Sequence, residues 1–138
     1  MATNQHTSAK LVHAMVRVLD ESRSLAFYEK AFDLKPADRI QFDDFTLIYL
    51  RNAASPFELE LTVNHDRTAP YTPGDGYGHL AVVVEDLDAE RARLDEAGLA
   101  PGPIRALNHA GTPLARFFFI QDPDGYKIEV IERAGRFA

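Results

Sequence analysis

An ungapped internal repeat limits the folds open to this chain more than any other feature. HAMVRVLDESRSLAFYEKAF (13–32) lies against HLAVVVEDLDAERARLDEAG (79–98) without an insertion. His13 falls on His79, Val16 on Val82, Val18 on Val84 and Asp20 on Asp86, each pair 66 residues apart. That spacing exceeds the period of about 20–50 residues typical of solenoids, so the chain reads as two fused copies of one supersecondary unit.

Each copy begins with a valine-rich strand, LVHAMVRVL (11–19) or HLAVVVED (79–86), and runs into a helix. Asp20 or Ser22 can cap the first helix, where Leu25, Tyr28 and Phe32 recur at helical spacing. The second helix, LDAERARLDEAG, ends on Gly98, a residue suited to a helix C-terminus. Two further strands close the first copy: FTLIYLRN (45–52) and FELELTVN (57–64). In the latter, Phe57, Leu59, Leu61 and Val63 alternate with Glu58, Glu60 and Thr62, the period of two of a strand with one face in a core. ARFFFIQ and YKIEVIE close the second copy, joined by DPDG, with Pro123 and Gly125 at positions that suit a type I turn. The middle strand of each half has the least distinct pattern, and PGPIRALNHAGTP reads as irregular, with 105–113 a candidate mobile lid.

The expected layout is therefore β-α-β-β-β twice. Residues 1–9 form a loose tail, 10–67 the first module, 68–77 a Pro- and Gly-rich linker, 78–133 the second module and 134–138 a C-terminal tail. With 138 residues, 46% hydrophobic and 26% charged, the whole is one α+β domain of ordinary globular composition. A formal net charge of -6 argues against nucleic acid as a partner. No apolar run approaches the roughly 20 residues of a membrane span, and MATNQHTSAK lacks the plan of a signal peptide. A cytoplasmic protein is expected. The absence of cysteine removes thiolate metal sites and cysteine nucleophiles.

The repeat also duplicates a chemical pattern. Each copy places one histidine at the start of its first strand, His13 or His79. Each places one glutamate in its last, otherwise apolar strand, Glu60 or Glu129. Two imidazoles and two carboxylates suit a divalent first-row metal, and an octahedral ion would keep about two positions for water or substrate. Such an ion could act as a Lewis acid. Taken singly, a histidine at a strand end is commonly a hydrogen-bonded structural residue, and a strand glutamate is commonly solvated. Matched placement in both copies favours the metal. Glu58 shares a face with Glu60 and is a rival for its role, whereas Glu132 lies on the face opposite Glu129. Met15 and Arg17 share the face of His13, as Thr62 and Asn64 share that of Glu60. A guanidinium and an amide there could hold a carboxylate or peptide-like group. His6, His65 and His109 are not assigned to the metal.

HAMVRV, LELTVN, GYGHLAV and DPDGYKIEV, in that order, resemble the glyoxalase I (lactoylglutathione lyase) family of the vicinal oxygen chelate superfamily. The resemblance spans about residues 11 to 132. It implies paired βαβββ modules forming an open barrel. It also implies a homodimer with active sites at the interface, where His13 and Glu60 of one subunit meet His79 and Glu129 of the other around one metal. Nickel or cobalt is favoured in such short chains, with zinc possible. Arg17 and Asn64 match positions that bind the γ-glutamyl end of glutathione, the cosubstrate, with Met15 and Thr62 as neighbours in the substrate site. The implied reaction converts the hemithioacetal of methylglyoxal and glutathione to S-lactoylglutathione through an enediolate, with Glu129 as the base and Glu60 its near-symmetric counterpart.

Two departures stand out. The stretch between GPIR and ARFFFIQDPDG is longer than in compact bacterial members, and Asp75 stands where some members carry a cation for glutathione. Other members of the superfamily offer alternatives: a dioxygenase using His13, His79 and Glu129, an epimerase or thiol transferase, or a non-enzymatic drug-binding protein.

Overall fold

The computed structural model describes residues 8–138, so His6 lies outside the described residues. The chain divides into two compact units, with the boundary between Ala69 and Pro70 inside the expected linker.

The first unit runs β1 (His13–Arg17), α1 (Glu21–Phe32), β2 (Lys35–Gln41), β3 (Phe45–Asn52) and β4 (Ser55–Asn64). Its strands form one open four-stranded sheet in the order β1-β4-β3-β2. β1 is parallel to β4, and the other neighbours are antiparallel. The core is built from Val16, Ile48, Leu50, Leu59 and Leu61 of the sheet with Phe27, Tyr28 and Ala31 of α1. The buried stripe of α1 is thus Ser24, Phe27, Tyr28 and Ala31, the spacing of a helix face; of the expected stripe only Tyr28 is buried. Asp20 is the cap, accepting from the Arg23 N–H at 2.8 Å. β1 is shorter than the apolar run around it, and Leu11 and Val12 are exposed.

The second unit runs β5 (Leu80–Val84), α2 (Leu87–Glu96), β6 (Arg105–His109), β7 (Thr112–Gln121) and β8 (Lys127–Glu132). Its sheet has the same plan, β5-β8-β7-β6, again open and again with its first and last strands parallel. Asp86 caps α2 as Asp20 caps α1, accepting from the Ala89 N–H at 3.0 Å. Gly98 ends it at φ 78°, where a side chain would be strained. In DPDG the Gly125 N–H closes on the Asp122 carbonyl at 3.0 Å, the bond of the expected turn. Residues 135–137 form a short 3-10 turn beside β7.

Each unit carries one open four-stranded sheet. One expectation needs correction. Residues 105–113 are not irregular: β6 and β7 make a hairpin in which His109 pairs with Thr112. Ala110 and Gly111, at φ 49° and 81°, form a two-residue turn with both centres left-handed, the hand that matches strand twist. The sequence conceals β6 because every one of its residues is exposed. The same holds for β2, which tolerates Pro36 because it is an edge strand. A strand with no buried face leaves no alternation to read.

No helix among the described residues is long and apolar enough to cross a membrane.

Candidate functional site

Parallel pairing of the first and last strands of each unit positions the two donor pairs. In the first unit His13 stands beside Glu58 in register and Met15 beside Glu60. Glu60 is therefore the diagonal neighbour of His13 on one sheet face. The His13 Nε2 lies 2.7 Å from Glu60 Oε2. Glu60 is only 8% exposed, and a carboxylate so covered requires a polar partner. The second unit repeats the plan. Leu80 pairs with Ile128 and Ala81 with Glu129, and the His79 Nε2 lies 3.6 Å from Glu129 Oε1.

The rival glutamates are occupied elsewhere. Glu58 lies 3.8 Å from an Arg51 nitrogen. Glu132 takes Arg116 at 2.7 Å, and Arg116 also reaches Asp88 at 3.3 Å. These contacts hold the Arg116 pKa above its ordinary value, the Asp88 hydrogen bond foremost. Each unit thus presents one histidine–glutamate pair and ties its other strand carboxylate to an arginine.

Aromatic rings complete the match, and the sequence reading missed them. Tyr49, the register partner of Glu60, meets the His13 ring edge-on with centroids 5.7 Å apart. Phe119, the register partner of Glu129, meets the His79 ring edge-on at 5.4 Å. The signal was present: LIYLR and FFFIQ occupy corresponding strands of the repeat. Burial raises the Tyr49 pKa, with the carboxylates of Glu60, Asp38 and Glu58 acting in the same direction.

The loops around His79 and Glu129 are fastened to each other. The Tyr77 hydroxyl of GYGH donates to the Lys127 carbonyl at 2.8 Å, and its ring packs on Tyr126 of DPDGY with centroids 5.0 Å apart. Asp122 accepts from the Asp124 and Tyr126 N–H groups, each at 2.9 Å, and so shapes the turn leading into β8. A cavity of about 470 Å³ opens beside Phe119, lined also by Leu99, Gly102, Gln121 and Lys127.

Met15, 40% exposed, lies against Glu60 in register, and Arg17 lies against Thr62. Asn64 closes β4 opposite Phe45. These four share the sheet face of His13 and Glu60 by strand alternation. His65 is structural: its Nδ1 donates to the Asp43 carbonyl at 3.0 Å, and its Nε2 meets the Thr46 hydroxyl at 2.8 Å. His109 is exposed at the end of β6.

The donor set fits a divalent ion. Nitrogen and oxygen ligands about 2.1 Å from a metal sit roughly 3.0–3.4 Å apart in octahedral or tetrahedral arrangement; the observed separations of 2.7 and 3.6 Å bracket that span. Among the described residues no cluster of three or more such side chains occurs.

Residues 10–130 match the model of the Glyoxalase/Bleomycin resistance protein/Dioxygenase superfamily. Among curated relatives, a lactoylglutathione lyase of Neisseria meningitidis is 36% identical over 132 residues, covering 90% of this chain and 91% of its own length. One from Haemophilus influenzae is 34% identical, covering 89% and 92%. Among solved structures, a trypanothione-dependent glyoxalase I of Leishmania major superposes with a TM-score of 0.72 at 32% identity, covering 91% and 87%. The chain belongs to the glyoxalase I (lactoylglutathione lyase) family of that superfamily.

Proposed function

We propose that this chain is a metal-dependent lactoylglutathione lyase, which isomerises the hemithioacetal of a 2-oxoaldehyde and glutathione to the thioester. One observation carries the reading: both units hold a histidine and a glutamate in the same diagonal register, while the neighbouring carboxylates Glu58 and Glu132 are tied to arginines. The names of the Neisseria and Haemophilus relatives support the same activity.

His13, Glu60, His79 and Glu129 would hold one divalent ion, nickel or cobalt by preference and zinc as a further possibility. In a homodimer the first pair would come from one subunit and the second from its partner. Bound there, the ion supplies Lewis-acid stabilisation of oxygen charge as a carbon-bound proton leaves. The rest falls to the chain. Glu129 takes the proton from the carbon beside the carbonyl and returns it to the neighbouring carbon, with Glu60 placed to do the same from the other side. Arg17 and Asn64 orient the γ-glutamyl end of the thiol, a guanidinium suiting a carboxylate and an amide suiting peptide-like groups. Met15 and Thr62 line the approach. The expected cytoplasmic setting belongs to this reading as well.

The thiol is open to one other reading, because the Leishmania neighbour is described as trypanothione-dependent. The deciding experiment strips the protein of metal, restores Ni, Co, Zn, Mn or Fe separately, and follows thioester formation from methylglyoxal with glutathione or trypanothione. Activity with glutathione and at least one metal is expected. Inactivity with every metal and both thiols would refute the assignment. Glu129→Gln should lower turnover by about 10²–10⁴-fold, the usual contribution of a general base, and a near-normal rate would remove Glu129 from that role.

A further inference from the structure

The rings beside the two donor pairs differ by a single oxygen atom. Tyr49 and Phe119 hold the same station: each is the register partner of the paired glutamate and meets the paired histidine edge-on. The interplanar angles are alike, 69° and 77°. The ring therefore does the packing in both units, and Phe119 shows that a bare ring suffices for it. The hydroxyl of Tyr49 is additional.

That hydroxyl sits on the face that carries the first donor pair. Tyr49 lies between Asp38 of β2 and Glu60 of β4 in register. Among the described residues its hydroxyl has no hydrogen-bond partner. A phenol is both donor and acceptor, and it keeps its proton at neutral pH. Neighbouring carboxylates can only accept, so the donor is the one new chemical capacity that Tyr49 adds to this face.

We infer that Tyr49 is a specificity-determining residue whose hydroxyl donates a hydrogen bond to an oxygen of the bound hemithioacetal on the His13–Glu60 side, a contact that Phe119 cannot make on the His79–Glu129 side. The inference rests on the lyase reading. The substrate carries oxygens on two adjacent carbons, and Arg17 and Asn64 are assigned to the thiol end rather than to these oxygens. The Tyr49 hydroxyl adds a donor in register with Glu60 that Phe119 lacks in register with Glu129. It also disfavours an apolar group seated against the hydroxyl, which would leave the phenol desolvated and unpaired.

The test is Tyr49→Phe in the metal-loaded protein, with Phe119→Tyr as its mirror. For the methylglyoxal–glutathione hemithioacetal, Tyr49→Phe should raise KM about three- to tenfold, the range of one neutral hydrogen bond, with kcat within about twofold. Metal content and melting temperature should not move, because the ring stays. Tyr49→Leu, which loses the ring as well, should weaken metal retention. Adding Phe119→Tyr to Tyr49→Phe should not restore KM. A Tyr49→Phe protein within about twofold of wild type in KM, or one whose loss follows lost metal, overturns the inference while the lyase assignment stands. A wild-type protein inactive with every metal overturns both.

Discussion

Glu58 and Glu60 stand two residues apart on one face of β4, yet only Glu60 meets a histidine. His13 lies 2.7 Å from Glu60, while Glu58 faces Arg51 at 3.8 Å. Strand alternation alone gives the two carboxylates equal standing, and register places His13 directly beside Glu58, so the side-chain contacts separate them. Glu58→Gln should leave metal content and turnover within about twofold of wild type, since an exposed ion pair contributes little. Glu60→Gln should lower metal affinity by about tenfold or more, as loss of a ligand must exceed the effect of losing an outer partner. Metal titration of both variants decides; equal losses would return Glu58 to contention.

Arg17 lies four residues beyond His13 on the same strand face, opposite Thr62. Arg17→Ala should raise KM for the thiol conjugate about tenfold or more, as expected when a charge-assisted hydrogen bond is removed. Metal content should hold. If metal is lost in step, Arg17 supports the ion site rather than the substrate.

Much of this site can be read from the repeat. His13, His79, Glu60 and Glu129 occupy matched positions in two copies, and coincidence across copies is a signal that one histidine cannot give. The rings of Tyr49 and Phe119 went unread because an apolar residue in a strand looks the same whether it faces a core or a site. β2 and β6 were obscure for a different reason: both are edge strands with every residue exposed, so hydrophobic patterning was silent there. Only turn chemistry at Ala110 and Gly111 marked the second hairpin.

That turn makes its own prediction. Ala110 holds a left-handed conformation at φ 49°, which costs a residue with a Cβ about 1–2 kcal/mol. Ala110→Asn places Asn-Gly at the turn and should raise stability by about 0.5–1 kcal/mol. Gly111→Ala, at φ 81°, should lower it by about 1 kcal/mol. Denaturant midpoints will show both, and activity should be unchanged because the hairpin carries no ligand. A stabilised variant with reduced activity would give this segment a functional role.

A pH effect is expected where α1 meets β2. Glu21 takes Arg39 at 2.6 Å from Nε and 3.1 Å from Nη2. That hydrogen bond lowers the Glu21 pKa below its ordinary 4.5. A carboxylate held down in this way stabilises the fold fully above its unfolded pKa, and the benefit fades as pH falls through the lower folded value. Arg39→Gln should therefore reduce the melting temperature at neutral pH by about 2 °C, in keeping with a partly exposed pair. The gap to wild type should close in acid. A gap that persists there would mean that Arg39 acts through packing of its stem.

The parallel pairing of β1 with β4, and of β5 with β8, has a kinetic consequence. His13 and Glu60 are brought together by the strand contact that spans the greatest length of chain in their unit, as are His79 and Glu129. Contacts of long sequence separation pay the largest loop-closure entropy. The hairpins β2–β3–β4 and β6–β7–β8 can zip locally, but neither donor pair exists until the first strand has docked on the last. Completion of the histidine–glutamate pairs is thus expected late in each unit's folding, and an ion that needs them would be retained only by chains that have finished.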